Sequence, residues 1–145
     1  MRVLNVVWVF SPGADKVLMC KRHKEPYMGL FNLPGGKVEP DEDGLAAAHR
    51  ELAEETGIGR ESLTKELQHL MDFVYYDSAA FPTLPGGARV EVYVGKLARE
   101  MHVRGDEKEL LWMDVSADFW DMARFAGEGN IGHMYEQIKL RPNLV

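Results

Sequence analysis

Three glutamates, Glu51, Glu54 and Glu55, stand at i, i+3 and i+4. In a helix that spacing puts their side chains on one face. Like charges set so close destabilise a helix, so a surface built for stability alone would avoid them. A bound divalent cation reverses the penalty, because hard cations take oxygen ligands from carboxylates. The competing reading is an acidic, solvated helix face. Leu45, Ala48, Leu52 and Thr56 fall on a separate, mostly apolar stripe that can pack on a sheet.

The residues around the triplet narrow the choice. Gly36, Glu42, Arg50, Glu51, Leu52, Glu54, Glu55, Gly57 and Ile58 occupy fixed places along residues 36–58. The stretch resembles the Nudix box and fills each of its specified positions. Gly36, Glu42 and Arg50 lie outside the acidic triplet and match as well, which an accidental acidic face would not require. The resemblance implies an α/β protein with the Nudix fold, a mixed β-sheet sandwiched between α-helices (α/β/α), in one domain over residues 1–145.

It also implies hydrolysis of a nucleoside diphosphate linked to another group, with Mg²⁺ or Mn²⁺ as cofactor. The implied metal ligands are Glu51, Glu54, Glu55 and a backbone carbonyl of Gly35 or Gly36. Similar proteins carry one further glutamate shortly before a tryptophan. Glu107, ahead of Trp112, is the candidate, with Glu109 second. Arg50 is expected to hydrogen-bond a neighbouring carboxylate and fix its orientation. By the MutT pattern, Glu51 takes the proton from the attacking water.

Phe31-Asn32 followed by Gly35-Gly36, together with the small size, resembles the MutT-type nucleoside triphosphatases, including those that remove 8-oxo-dGTP. The products would be a nucleoside monophosphate and pyrophosphate. Hydrolysis of dinucleoside polyphosphates or ADP-sugars is the alternative. Tyr75 stands where the former group often has tyrosine, and Phe73 where the ADP-ribose hydrolases usually have proline. A non-catalytic, nucleotide-sensing Nudix domain is the alternative of another class. Such domains commonly lose box glutamates, and all are present here.

Substrate contacts follow from the same resemblance and from side-chain chemistry. Arg22, in a basic run at residues 21–24, has the planar fork that suits phosphate oxygens. His23 in that run has no obvious partner. Lys37 is placed toward phosphate and Glu39 toward metal. Phe31 and Asn32 either border the base pocket, by stacking and hydrogen bonding, or pack in the core and form a turn. Asn130, in a Gly-rich turn at residues 127–132, is expected to approach the nucleobase. His49 lies off the acidic face and receives no role. Glu91 is expected to face solvent.

The whole chain sets the bounds. Its 145 residues suit one domain with one sizeable core. A net charge of -6 argues against a general nucleic-acid surface, so the expected partner is a small-molecule nucleotide, with no nucleic-acid polymer. The chain is expected as a monomer or homodimer. One cysteine, Cys20, excludes an internal disulfide and points to a reducing compartment. The apolar run near the start contains Asn5 and ends at Ser11-Pro12-Gly13 without a small-residue cleavage site. With no run long enough to span a membrane, a cytoplasmic protein without a membrane partner is expected.

These groups must be positioned by ordered elements. Val-rich residues 3–10 and residues 16–21 predict a strand pair with turn chemistry between them. Asp41 or Asp43 can cap a helix over residues 45–56, closed by Gly57. Strands are expected late in residues 63–76, at 89–97 and at 110–113, with a long loop at 77–88. Residues 119–126 and 131–140 read as helices, and the last five residues as a short tail.

Overall fold

The computed structural model describes residues 1–76, 86–103 and 109–145. Six strands form one mixed sheet: β1 (Arg2–Phe10), β2 (Lys16–Lys21), β3 (Phe31–Asn32), β4 (Gln68–Tyr75), β5 (Ala88–Lys96) and β6 (Glu109–Asp114). The order is β3-β2-β1-β5-β4, with β6 paired to β2. β1 and β5 run parallel from Arg2↔Ala88 to Phe10↔Lys96, and the other pairs are antiparallel.

Strand alternation splits the core in two. Trp8, Phe10, Val17, Met19, Val92 and Val94 face one side, where Ile131, Met134 and Ile138 of helix α2 (Asn130–Lys139) cover them. Val7, Val9, Leu18 and Tyr93 face the other, under Ala48 and Leu52 of helix α1 (Gly44–Thr56). The result is the expected helix–sheet–helix sandwich. Leu52 is fully buried, so truncating it to alanine would cost about 2–5 kcal/mol.

The first hairpin forks. Phe10 pairs with Val17, and beyond that point β1 and β2 separate. The gap is filled by the chain after β2. Cys20 and Lys21 pair with Asn32 and Phe31. The amides of Asn5 and Val7 donate to the carbonyls of Gly36 and Pro34, and Val38 N–H donates to Val3. This insertion sets the Gly35-Gly36 pair against the middle of β1.

Two expectations are corrected. Residues 119–126 form no helix. Asp118 and Asp121 accept from the N–H groups of Trp120 and Ala123, and these local bonds replace a helical ladder with turns. The segment then meets β3, where Phe31 N–H donates to Arg124 O and Ala126 N–H donates to Phe31 O. The last five residues are no loose tail either. Pro142–Leu144 makes a 3₁₀ turn that buries Leu144 in the α2-side core. No helix among the described residues is long and apolar enough to cross a membrane.

Candidate functional site

Helix α1 delivers the carboxylates because both of its ends are fixed locally. Asp43 Oδ2 accepts from Ala46 N–H at 3.1 Å, which satisfies a first-turn donor. Gly57 closes the helix at φ 79°, a conformation in which glycine pays no side-chain penalty, and its N–H donates to Ala53 O. Between these stops Ala47, Ala48 and Leu52 are buried against the sheet, and the acidic face turns toward the Gly35-Gly36 pair.

Arg50 organises that face. Its Nε and Nη2 bind the two oxygens of Glu42 at 2.6 and 2.7 Å. Nη1 reaches Glu51 at 3.0 Å and Glu54 at 3.2 Å, and Nη2 also donates to the Lys37 carbonyl. One guanidinium thus offsets the repulsion among three carboxylates and ties the helix to the segment before it, at Lys37 and Glu42. The Arg50 hydrogen bonds hold the Glu42 carboxyl at about 2, below its ordinary 4.5. The same bond to Glu42 raises the Arg50 pKa still higher.

A pH dependence follows. Glu42 has a folded-state pKa depressed below its unfolded value, so its contribution to stability is complete above about 4.5 and lost as pH falls toward about 2. Urea midpoints measured across that window are expected to fall on acidification, and to fall less steeply in Arg50→Met. An unchanged slope in the variant would dissociate Arg50 from the Glu42 shift.

The two glycines lie against Glu55 and Glu51. Gly35 N–H donates to Glu55 Oε2 at 3.0 Å. A Cβ on Gly36 would stand 2.3 Å from the Glu51 carboxyl, and one on Gly35 would stand 2.0 Å from the Asn5 carbonyl oxygen. Only residues without side chains permit both approaches. Glu51 is largely buried, with a side-chain exposure of 15%, whereas Glu54 is 59% exposed. The donor set of carboxylate and carbonyl oxygens has the chemistry of a hard-cation site. Yet among the described residues no three His, Cys, Asp or Glu side chains converge closely enough to hold a metal ion. Arg50 and Gly35 hold the carboxylates in other engagements. Glu107 lies outside the described residues.

Beside this cluster is a cavity of about 450 Å³ between the sheet and α2. Tyr75 on β4 and Gly36 lie on opposite flanks of β1, and the cavity runs across the sheet between them. Gly35, Gly36 and Lys37 line it where it meets the carboxylates, and Arg2 and Arg22 add positive charge. Leu4, Val6, Phe73, Ile131 and Met134 give it apolar walls. None of Glu51, Glu54 and Glu55 lines it, so Gly35 and Gly36 are the junction between cavity and acidic face.

The far wall is polar. Asn130 Nδ2 donates to the Tyr75 hydroxyl, and Tyr27 OH donates to both Glu128 oxygens at 2.8 and 2.6 Å. Tyr27 and Glu128 both sit in left-handed backbone, at φ 66° and 53°, so the clasp joins two strained positions. Burial, then the bond to Glu128, raises the Tyr27 pKa; burial raises that of Tyr75 as well.

The remaining expected site residues are placed as follows. Arg22 lines the cavity while its Nε donates to Pro26 O at 2.6 Å. Asn32 lines it too, with its Oδ1 taken by Leu33 N–H. Phe31 does not border the cavity; its ring packs on Phe125 with the Arg124 guanidinium over it. Glu109 is exposed and lies 3.8 Å from His23, which gives that histidine the partner its sequence did not suggest. His49 is buried, its pKa lowered first by burial, and its Nε2 accepts from Leu67 N–H. Glu91 is not solvent-facing as expected: its side chain is 14% exposed and lies under Gly44 at the start of α1. Sequence reasoning missed Asn5 and Tyr27. A polar residue inside a buried strand was the available signal for Asn5; Tyr27 carried none.

The NUDIX domain family model matches residues 1–127. An ADP-ribose pyrophosphatase from Bacillus subtilis is 35% identical over 96 residues, which is 66% of this chain and 45% of that protein. The matched stretch thus spans less than half of that relative. The solved MutT NUDIX hydrolase from Burkholderia pseudomallei is 26% identical, covers 94% of this chain and 97% of its own, and superposes with a TM-score of 0.69. A bifunctional NMN adenylyltransferase/ADP ribose pyrophosphatase from Francisella tularensis, solved with AMP and a Mn ion, is 22% identical. It covers 97% of this chain and 41% of its own, with a TM-score of 0.68, a likeness of fold.

Proposed function

The chain belongs to the NUDIX domain family, and from that premise we propose that it is a divalent-cation-dependent nucleotide pyrophosphohydrolase of the MutT type. Its substrates would be nucleoside triphosphates, 8-oxo-dGTP among them, and its products a nucleoside monophosphate and pyrophosphate. One observation carries the choice. The cavity starts at the Gly35-Gly36 junction beside the carboxylates and is bounded at its far side by Tyr75, Asn130 and Tyr27. Its volume suits one nucleoside more than two.

Glu51, Glu54 and Glu55, with a carbonyl of Gly35 or Gly36 and with Glu107, would hold Mg²⁺ or Mn²⁺. The bound cation would screen the polyphosphate and stabilise the charge that develops on the leaving oxygen. Arg50 orients Glu51 and Glu54, and Glu51 accepts the proton of the attacking water. Lys37 and Arg22 bind phosphate oxygens. Asn130, with Tyr75, offers donors and acceptors to the base edge. Phe31 packs on Phe125 and anchors β3 rather than binding the base. A second reading, hydrolysis of ADP-ribose, is favoured by the Bacillus subtilis relative.

The test is metal-dependent phosphate and pyrophosphate release across a panel: the common nucleoside triphosphates, 8-oxo-dGTP, ADP-ribose and a dinucleoside tetraphosphate. Pyrophosphate from a triphosphate, with the highest kcat/KM, is the expected result. Preference for ADP-ribose or the two-nucleoside substrate would transfer the function to that class. Nucleotide binding without hydrolysis in any divalent ion would make the domain a sensor.

A further inference from the structure

Asn5 Nδ2 is the one buried side-chain polar atom among the described residues that has no hydrogen-bond partner. The residue is 2% exposed, in β1 between Leu4 and Val6. The amide orientation is fixed by its surroundings. Asn5 Oδ1 accepts from Gly36 N–H at 3.0 Å, and a flipped amide would set NH₂ against that donor. The Asn5 backbone N–H donates to Gly36 O at 2.8 Å, so this one residue grips Gly36 at both its N–H and its carbonyl. An orphaned buried donor destabilises a fold, and leucine, of similar size, would avoid it. The bond to Gly36 accounts for the Asn5 oxygen, but packing does not account for its Nδ2.

Its neighbours do. Gly36 lies against the Glu51 carboxyl, and Gly35, whose N–H binds Glu55, sits over the Asn5 carbonyl. Glu51 is engaged by Arg50 at 3.0 Å. We propose that Asn5 is a positioning residue for the carboxylate site. Its oxygen sets the Gly36 backbone against Glu51, and its Nδ2 would donate to the Glu51 carboxylate in the cation-loaded site. This rests on the cation-dependent function proposed above.

The test uses Asn5→Leu and Asn5→Thr in the full chain, with Mn²⁺ affinity of the nucleotide-free protein, kcat, KM and Tm as readouts. Leucine removes one orphan donor and creates another at Gly36, so its Tm is expected close to the parent's. Its Mn²⁺ affinity and kcat are expected to fall about tenfold, with KM within about twofold. Threonine, whose hydroxyl both accepts and donates, is expected to recover part of both losses. A folded Asn5→Leu with parental Mn²⁺ affinity and kcat would overturn the proposal. So would losses that follow a lowered Tm and that threonine does not lessen. If leucine does not fold, threonine is compared with the parent alone, and parental Mn²⁺ affinity and kcat in it overturn the proposal. Should the parent hydrolyse nothing, the pyrophosphohydrolase reading fails by itself, and Mn²⁺ affinity still decides the role of Asn5.

Discussion

Glu54→Gln is expected to lower turnover by about 10²- to 10⁴-fold, the range associated with losing a positioned acid–base or ligand group, and to leave the fold intact. The side chain is 59% exposed, and the substitution keeps its shape while removing its charge. Arg50 loses one exposed contact but keeps both Glu42 oxygens and Glu51. Exposed pairs of this kind contribute little, so stability should change by no more than about 0.5 kcal/mol. Steady-state turnover in Mg²⁺ and a urea midpoint, measured on the same preparation, check both halves. Near-parental, metal-dependent turnover would remove Glu54 from the mechanism.

The second large effect separates two adjacent glycines. In Gly35→Ala the new methyl would stand 2.0 Å from the Asn5 carbonyl oxygen, and 2.9 Å from the Val6 Cα. Backbone cannot swing away, so β1 and residues 34–38 must part. Overpacking of this kind costs about 1–3 kcal/mol or more, and the Gly35 N–H bond to Glu55 is disturbed with it. In Gly36→Ala the obstacle is the end of the Glu51 side chain, at 2.3 Å, which can rotate. Stability should hold while turnover collapses, because the displaced carboxylate is the proposed base. Equal stability losses in both variants would mean that Glu51 is as fixed as the β1 backbone.

Much of the scaffold was legible because it is locally encoded. Asp43 and Gly57 stop α1 with their own side-chain and backbone chemistry, and the Val-rich run of β1 specifies a buried strand whatever it pairs with. The family resemblance carried the acidic face with it. What stayed hidden depends on distant contacts. The forked hairpin needs residues 34–38 to outcompete β2 for the edge of β1, and no local signal announces that. Residues 119–126 have an apolar content that reads as helix, yet two aspartates bind nearby amides and a later meeting with β3 ends the segment. The Tyr27–Glu128 clasp joins positions 101 apart in sequence, each in backbone its residue type rarely adopts. Asn5 was visible as a polar interruption, but its meaning required Gly36 beside it.

Anomalous diffraction from crystals grown with Mn²⁺ and a non-hydrolysable nucleoside triphosphate analogue tests the central claim most directly. Manganese is expected between the Glu51, Glu54 and Glu55 carboxylates and the Gly35-Gly36 backbone, with the phosphates reaching it from the cavity and the base against Tyr75 and Asn130. Manganese bound elsewhere, with Arg50 still holding Glu51 and Glu54 and the nucleotide in place, would contradict it.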